Sequence, residues 1–71
     1  MTETVTIRVN GESDTLAVAT VAALLEEKEI GADARGVAVA LNGAVVPRAA
    51  WRDTRLASGD AVEIVRARQG G

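Results

Sequence analysis

Residues 4–11 of the chain read TVTIRVNG, and the rest of the architecture can be built outward from them. Three apolar side chains alternate with polar ones over residues 5–9, a period of two that is typical of a strand with one buried face. Asn10 and Gly11 follow as an Asn-Gly pair, the strongest short hairpin signal, because both residues tolerate positive φ. The pattern predicts a β-hairpin whose second strand, around residues 15–18, returns antiparallel to the first.

One amphipathic helix is predicted after this hairpin. Thr20 is a good N-cap, and the helix runs from there to about Glu29. Three apolar residues share one face of it, and Glu26 and Glu27 face water. The apolar residues are Val21, Leu24 and Leu25. No Glu or Gln stands three residues after Thr20 to complete a capping box, and Gly31 is placed to end the helix in a left-handed C′ conformation.

A second hairpin is predicted beyond the loop at residues 32–36. Apolar residues alternate again over residues 37–41, and Asn42-Gly43 repeats the hairpin signal ahead of a strand at residues 44–46. Pro47 cannot donate to a β-ladder, so this strand should be short and lie at an edge of the sheet. Both Asn-Gly pairs are interpreted as turn chemistry without functional weight.

The last strand completes a ββαβββ order. A turn at residues 58–60 precedes it, and over residues 61–66 the side chains of Val62 and Ile64 should face inward. The first and last strands are expected to pair in parallel at the centre, since the two hairpins would otherwise remain unconnected. The prediction is an α+β, ubiquitin-like β-grasp domain over residues 1–66, with one helix packed on one face of a mixed four- to five-stranded sheet.

Composition excludes several classes of function. The 71 residues include neither Cys nor His, which removes disulfides, thiol nucleophiles, thiolate metal sites and the usual general base near neutral pH. A domain this small has little room for a substrate cleft, so the chain alone is expected not to be an enzyme. One aromatic residue, Trp51, is too few for a nucleic-acid platform. With a polar, acidic N-terminus and no apolar run of about 20 residues, a cytoplasmic protein without membrane contact is expected.

Charge is distributed unevenly along the chain. Residues 1–34 contain seven acids and two bases, whereas residues 35–71 contain three acids and six bases, all arginine. A basic C-terminal half could meet an acidic surface or an anion such as a nucleotide phosphate. Solubilising surface arginine is the favoured interpretation.

The C-terminus reads RARQGG from residue 66 to residue 71. Nothing in this segment can pack, so residues 67–71 are predicted to form a flexible tail beyond the last strand. Gly70 and Gly71 lack Cβ atoms and can thread a channel too narrow for any side chain. Gly71 also carries the terminal carboxylate, which is ionised at neutral pH. Gly-Gly alone is a weak signal, but after a β-grasp order it becomes a much stronger one.

Several short elements are spread along the second half of the chain: Ala40-Leu41-Asn42-Gly43, Val46-Pro47-Arg48, Trp51, Leu56, Gly59-Asp60, Val62 and Gly70-Gly71. Through these elements the whole chain resembles the ThiS family, the sulfur carriers of thiamine thiazole biosynthesis. The most distinctive element is Val46-Pro47-Arg48 followed by Trp51, whereas the Gly-Asp turn and the Gly-Gly end also occur in other sulfur carriers and in ubiquitin-like proteins. The helix start departs from the family in lacking an acidic N3 residue, and the loop at residues 32–36 has no matching motif.

The resemblance implies a cycle on the Gly71 carboxylate. An adenylyltransferase related to the ubiquitin-activating enzymes would use ATP and Mg²⁺ to adenylate it, so the carrier itself binds no permanent cofactor. A persulfide donor would then convert the carboxylate into a thiocarboxylate, and thiazole synthase would accept the sulfur. With no Cys, the chain cannot carry sulfur as a persulfide, which makes the C-terminus the plausible place.

Five residues are candidate contacts for these partners: Arg48, Trp51, Val65, Arg66 and Arg68. Trp51 is a partner contact in one interpretation and packs over the edge of the core in the favoured one. Arg48 either meets an acidic residue of a partner or orders the loop after Pro47. Ala38, Ala40 and Val65 should lie on the sheet face away from the helix, either as a docking patch or as scattered surface residues.

Three alternative functions remain open on the sequence. One is a sulfur carrier for another pathway, such as the small subunit of molybdopterin synthase or a carrier for cysteine or secondary-metabolite sulfur. Another is a ubiquitin-like modifier that forms isopeptide bonds. The last is a regulatory β-grasp domain for which Gly70-Gly71 would be incidental.

Overall fold

The structure is a computed structural model that describes residues 4–30 and 36–66. Its elements follow the predicted ββαβββ order, with one short 3-10 helix before the last strand. They are β1 (Val5–Val9), β2 (Glu12–Leu16), α1 (Val21–Glu27), β3 (Val37–Leu41), β4 (Ala44–Val46), the 3-10 helix (Arg48–Ala50) and β5 (Ala61–Arg66).

The five strands form one mixed sheet in the order β2-β1-β5-β3-β4. β5 lies at the centre and runs parallel to β1, where Arg8 and Val9 stand opposite Ala61 and Val62. The other neighbouring strands are antiparallel. The predicted parallel pairing and the predicted edge position of the short strand before Pro47 are both confirmed.

The helix covers one face of the sheet and closes a single core. The three apolar residues predicted for its inner face are buried, and Glu26 and Glu27 are exposed. Val62 is buried and Ile64 is half-buried, so these two side chains of β5 face inward as predicted. The core consists of Ile7, Val18, Val21, Leu24, Leu25, Ile30, Val39, Val46, Trp51, Leu56 and Val62. Burial of one helix face against one sheet face gives this two-layer domain its hydrophobic stabilisation.

Both Asn-Gly pairs form the predicted tight hairpin turns. Asn10 and Gly11 have φ of 52° and 85°, and Asn42 and Gly43 have φ of 51° and 88°. Two successive residues with positive φ are what a two-residue turn of type I′ requires, and its twist matches that of the flanking strands.

The predicted position of the second strand, residues 15–18, is wrong. β2 begins directly after Gly11, because the two-residue turn sets the register and pairs Glu12 with Val9 at once. The strand therefore includes the polar residues Glu12–Thr15 and ends at Leu16. Val18 is buried in the core but lies outside the strand.

The end of the helix also differs from its prediction. The left-handed residue is Glu29, with φ of 63°, two positions before Gly31, which lies outside the described residues. The Glu29 amide donates to the Glu26 carbonyl at 2.9 Å, and the Ile30 amide donates to the Leu25 carbonyl at 2.7 Å. These two bonds form a Schellman motif. Burial of both Ile30 and Leu25 in the core places the helix end there, at the cost of a left-handed glutamate.

Candidate functional site

The candidate site lies where the C-terminal strand ends. β5 places Val65 and Arg66 at its last two positions, and both are exposed. Arg68, Gly70 and Gly71 lie outside the described residues. The structure therefore describes the base from which the last five residues continue, and the predicted tail remains a prediction.

β5 is paired unequally on its two sides. On one side its pairing with β3 extends to the strand end, with Val37 opposite Arg66. On the other side the ladder with β1 stops after Val9 stands opposite Val62. The last part of β5 thus has a neighbouring strand on one side only.

The side chain of Asn10 continues the ladder beyond the end of β1. Its backbone amide donates to the Val62 carbonyl at 2.9 Å, which completes the strand pairing. Its side-chain Oδ1 accepts from the Ile64 amide at 2.8 Å, and its Nδ2 donates to the Ile64 carbonyl at 3.2 Å. The carboxamide thus pairs with both backbone groups of Ile64, which a continuation of β1 would otherwise have paired.

Asn42 also bonds to β5, at the start of that strand. Its backbone amide donates to the Ala61 carbonyl at 2.7 Å, and its Oδ1 accepts from the Ala61 amide at 2.9 Å. Its Nδ2 donates to Asp60 Oδ1 at 3.0 Å, while Asp60 Oδ2 accepts from the Ala57 amide at 2.8 Å. The Gly59-Asp60 element of the family pattern therefore ties the turn before β5 to the second hairpin.

The sheet face opposite the helix carries an apolar patch, which we define as Ala38, Ala40, Val45 and Val65. Val65 stands opposite Ala38, and Val45 stands opposite Ala40. Val65 is 61% exposed, and Val45 is 77% exposed. The predicted placement of Ala38, Ala40 and Val65 on this face is confirmed.

Val45 is a member of this patch that the sequence analysis missed. The sequence contained the signal, because alternation along a strand places the neighbouring Val45 and Val46 on opposite faces. Val46 is the buried one of the two. The patch therefore includes the two large apolar side chains that are exposed within the described residues.

Trp51 belongs to the core, as the favoured interpretation had it. The residue is only 2% exposed, and its indole Nε1 donates to the Val46 carbonyl at 2.9 Å. Pro47 precedes the 3-10 helix, which turns the chain back so that the last residue of the Val-Pro-Arg-x-x-Trp element bonds to the first. The Arg48 guanidinium lies 5.2 Å from the centre of the indole ring, which supports the role of Arg48 in ordering this loop.

The same loop satisfies the first amides of the helix. Val21 donates its amide to the Thr54 carbonyl and Ala22 to the Trp51 carbonyl, each at 3.0 Å. The Thr20 hydroxyl accepts from the Ala23 amide at 3.1 Å, which confirms the predicted N-cap. Backbone groups about thirty residues away thus bind amides at the helix N-terminus where no capping box exists.

A groove beside Arg66 contains charges of both signs. It is lined in part by Asp14, Lys28 and Arg66, and the Lys28 ammonium lies 2.6 Å from the Asp14 carboxylate. Within residues 4–30 and 36–66, no three acidic side chains converge to hold a metal ion. In the same part of the chain, no helix is long and apolar enough to cross a membrane.

Comparison with known proteins agrees with the fold and with the motifs. The sequence model of the ThiS family matches residues 7–71. The crystal structure of the thiamine biosynthesis protein ThiS from Geobacter metallireducens is 38% identical, with a TM-score of 0.75 over 93% of this chain and 99% of that one. A solution structure of a thiamine biosynthesis protein from the same organism is 36% identical, with the same TM-score over 93% of this chain and 87% of that one.

Among proteins with a curated function, none matches the chain. The family match nevertheless spans nearly the whole sequence, and the structural match covers 93% of it. The chain has the β-grasp fold and belongs to the ThiS family, the sulfur-carrier family that its sequence motifs indicated.

Proposed function

We propose that this chain is a sulfur carrier of thiamine biosynthesis and that the carboxylate of Gly71 is its working group. The observation that carries the proposal is the family match, which extends through the terminal glycines to residue 71. Support comes from the 38% identical thiamine biosynthesis protein that matches along its whole length. The chain itself performs no catalysis and presents its terminus to partner enzymes.

The chemistry begins with activation of the carboxylate. An oxygen of Gly71 attacks the α-phosphate of ATP in an adenylyltransferase, which forms an acyl adenylate and releases pyrophosphate. The Mg²⁺ that neutralises the phosphates belongs to that enzyme and its nucleotide. The acyl adenylate turns a poor electrophile into one that a sulfur nucleophile can attack.

Sulfur enters by displacement of AMP. The terminal sulfur of a persulfide donor attacks the Gly71 carbonyl, and AMP leaves, so that an acyl disulfide joins carrier and donor. A thiol then attacks the donor's sulfur, which breaks the sulfur–sulfur bond and leaves a thiocarboxylate on Gly71 and a disulfide on the donor side. Thiazole synthase is the proposed acceptor of this sulfur.

The described domain is suited to delivering such a terminus. β5 is the central strand of the sheet and ends five residues before Gly71, so the reactive group follows a strand that lies between β1 and β3. The apolar patch includes Val65 at the end of that strand. We propose that the patch, together with Arg66 and Arg68, contacts the adenylyltransferase and thiazole synthase.

The decisive experiment is an intact-mass measurement. The chain is incubated with ATP, Mg²⁺, a ThiS-type activating enzyme and a persulfide source, and the product is expected to show replacement of one carboxylate oxygen by sulfur. Deletion of Gly71, or addition of one alanine after it, should abolish adenylation. Neither change alters residues 4–30 or 36–66, which contain the described core, so the melting temperature should remain the same within about 2 °C.

A modifier would give a different result in the same assay. Lys28 is the only lysine, so self-conjugation through a side chain has a single acceptor. Lysine-linked adducts that depend on Gly71 would favour the modifier. Full adenylation of the alanine-extended chain, or a large fall in its melting temperature, would contradict the role assigned to the terminus.

A further inference from the structure

The two Asn-Gly turns are more specific than their backbone requires. An Asp-Gly or Gly-Gly pair supports the same two-residue turn, because the turn needs only two residues that tolerate positive φ. The Asn10 side chain, however, both accepts from the Ile64 amide and donates to the Ile64 carbonyl. A carboxamide offers both an acceptor and a donor in this arrangement, so the contact with Ile64 gives Asn10 a role beyond the turn.

The position of this contact along β5 is what gives it consequence. The β1 ladder stops at Val62, and Asn10 extends the pairing on that side to Ile64. Two residues of the strand then remain before the tail, and these pair only with β3. Strand ends with a neighbour on one side open readily, and Ile64 is the last residue held on both sides.

We infer that Asn10 is a positioning residue for the reaction at Gly71, an inference that rests on the function proposed above. By holding Ile64, it sets the last point at which β5 is held on both sides. Gly71 lies seven positions after Ile64, which corresponds to an extended reach of at most about 25 Å. Without the carboxamide, the last point held on both sides retreats to Val62, and more of the strand must be ordered when a partner binds.

This ordering affects one kinetic parameter more than the other. A partner that receives Gly71 must lie within reach of the end of β5, and it binds only molecules whose strand end is in place. A fall in that competent fraction raises the apparent dissociation constant by the same factor. Once the carrier is bound, the strand end is ordered and the carboxylate reaches the same position. The KM for the carrier should therefore rise while kcat stays unchanged.

The chain offers a matched control in Asn42. It has the same turn position, nearly the same φ, and a side chain whose Oδ1 likewise accepts from a β5 amide, that of Ala61. It acts at the start of β5, at the end remote from Gly71. Asn10→Gly and Asn42→Gly both keep a residue that tolerates positive φ, so each removes the carboxamide without disturbing its turn.

The first measurement is amide hydrogen exchange, which does not depend on any partner. Asn10→Gly should speed exchange at the Ile64 amide about tenfold, the factor expected for loss of its acceptor, with little change at Ala61. Asn42→Gly should speed exchange at Ala61 and leave Ile64 near the native rate. Asn10→Asp keeps an acceptor for the Ile64 amide but loses the donor to its carbonyl, so it should give an intermediate rate at Ile64.

The second measurement is the activating enzyme's ATP–pyrophosphate exchange at varied carrier concentration. Asn10→Gly should raise the KM for the carrier at constant kcat, by the factor by which the competent fraction falls, and Asn10→Asp should raise it less. The KM of the Asn42→Gly variant should stay within about twofold of the native value, because the contact that it loses lies at the start of β5, far from Gly71. This should hold also when both glycine variants have the same melting temperature.

Each result decides a different point. An unchanged exchange rate at Ile64 in Asn10→Gly would refute the hold on the strand end. Faster exchange at Ile64 with the same KM for both glycine variants would refute positioning and leave a purely structural asparagine. Failure of the native chain to be adenylated would reject the proposed function and the positioning role together, and the exchange data would still show whether Asn10 holds Ile64.

Discussion

Replacement of Trp51 is the most informative perturbation of this domain, since it separates a core role from a partner role. The side chain is 2% exposed, so Trp51→Ala removes nearly its whole buried surface. Truncation of a buried aromatic costs about 3–5 kcal/mol. The Val46 carbonyl also loses the indole donor, and the loop that binds the first amides of α1 loses its packing.

This cost is large relative to the stability of the whole domain. A chain of 71 residues has a free energy of unfolding of about 4–10 kcal/mol. Trp51→Ala should therefore remove about a third or more of the domain's free energy of unfolding. Trp51→Phe keeps most of the packing and loses mainly the indole donor, so it should cost about 1–2 kcal/mol and lower Tm by about 5–15 °C.

The assay must suit a chain with one aromatic residue. Unfolding of the native protein can be followed by indole fluorescence. The variants contain no Trp, so their unfolding must be followed by far-UV circular dichroism. Urea titrations of all three proteins by circular dichroism give comparable free energies of unfolding. A titration of the activating enzyme with the Trp51→Phe variant, which remains folded, gives the binding effect.

The core role predicts a large loss of stability and little change in binding by folded protein. A native urea midpoint for Trp51→Ala together with greatly weakened binding would refute it. That result would show that the indole contacts a partner, and that the packing against Val46 contributes little.

Two further changes test the helix end and the apolar patch. Glu29→Gly should stabilise the domain by about 1 kcal/mol in a urea titration, because glycine adopts the left-handed conformation at Glu29 without steric cost; a loss of stability would show that the glutamate side chain makes a contact worth more than its strain. Val45→Asp should weaken binding to the activating enzyme at least fivefold at unchanged stability, whereas Ser13→Asp, on the opposite edge strand, should not. Equal affinities for the two aspartate variants would remove the patch from the proposed interface.

Local sequence determined most of the fold. Alternation with a period of two identified β1, β3 and β5, and the Asn-Gly pairs identified both hairpins. Both signals depend only on residues that are a few positions apart in the sequence. The order of elements then required the parallel central pairing. The functional hypothesis also came from the sequence, since the terminal Gly70-Gly71 and the Val-Pro-Arg-x-x-Trp element are readable without coordinates.

Tertiary structure alone decided the features that depend on distant residues. The Asn10 carboxamide meets Ile64 across 54 positions, and the amides of Val21 and Ala22 meet carbonyls about thirty positions away. The left-handed conformation moved to Glu29 because burial of Ile30 and Leu25 outweighs the local preference for glycine. A local pattern states what a backbone prefers, whereas these contacts exist only once folding has brought β5 and the loop beside the helix into place.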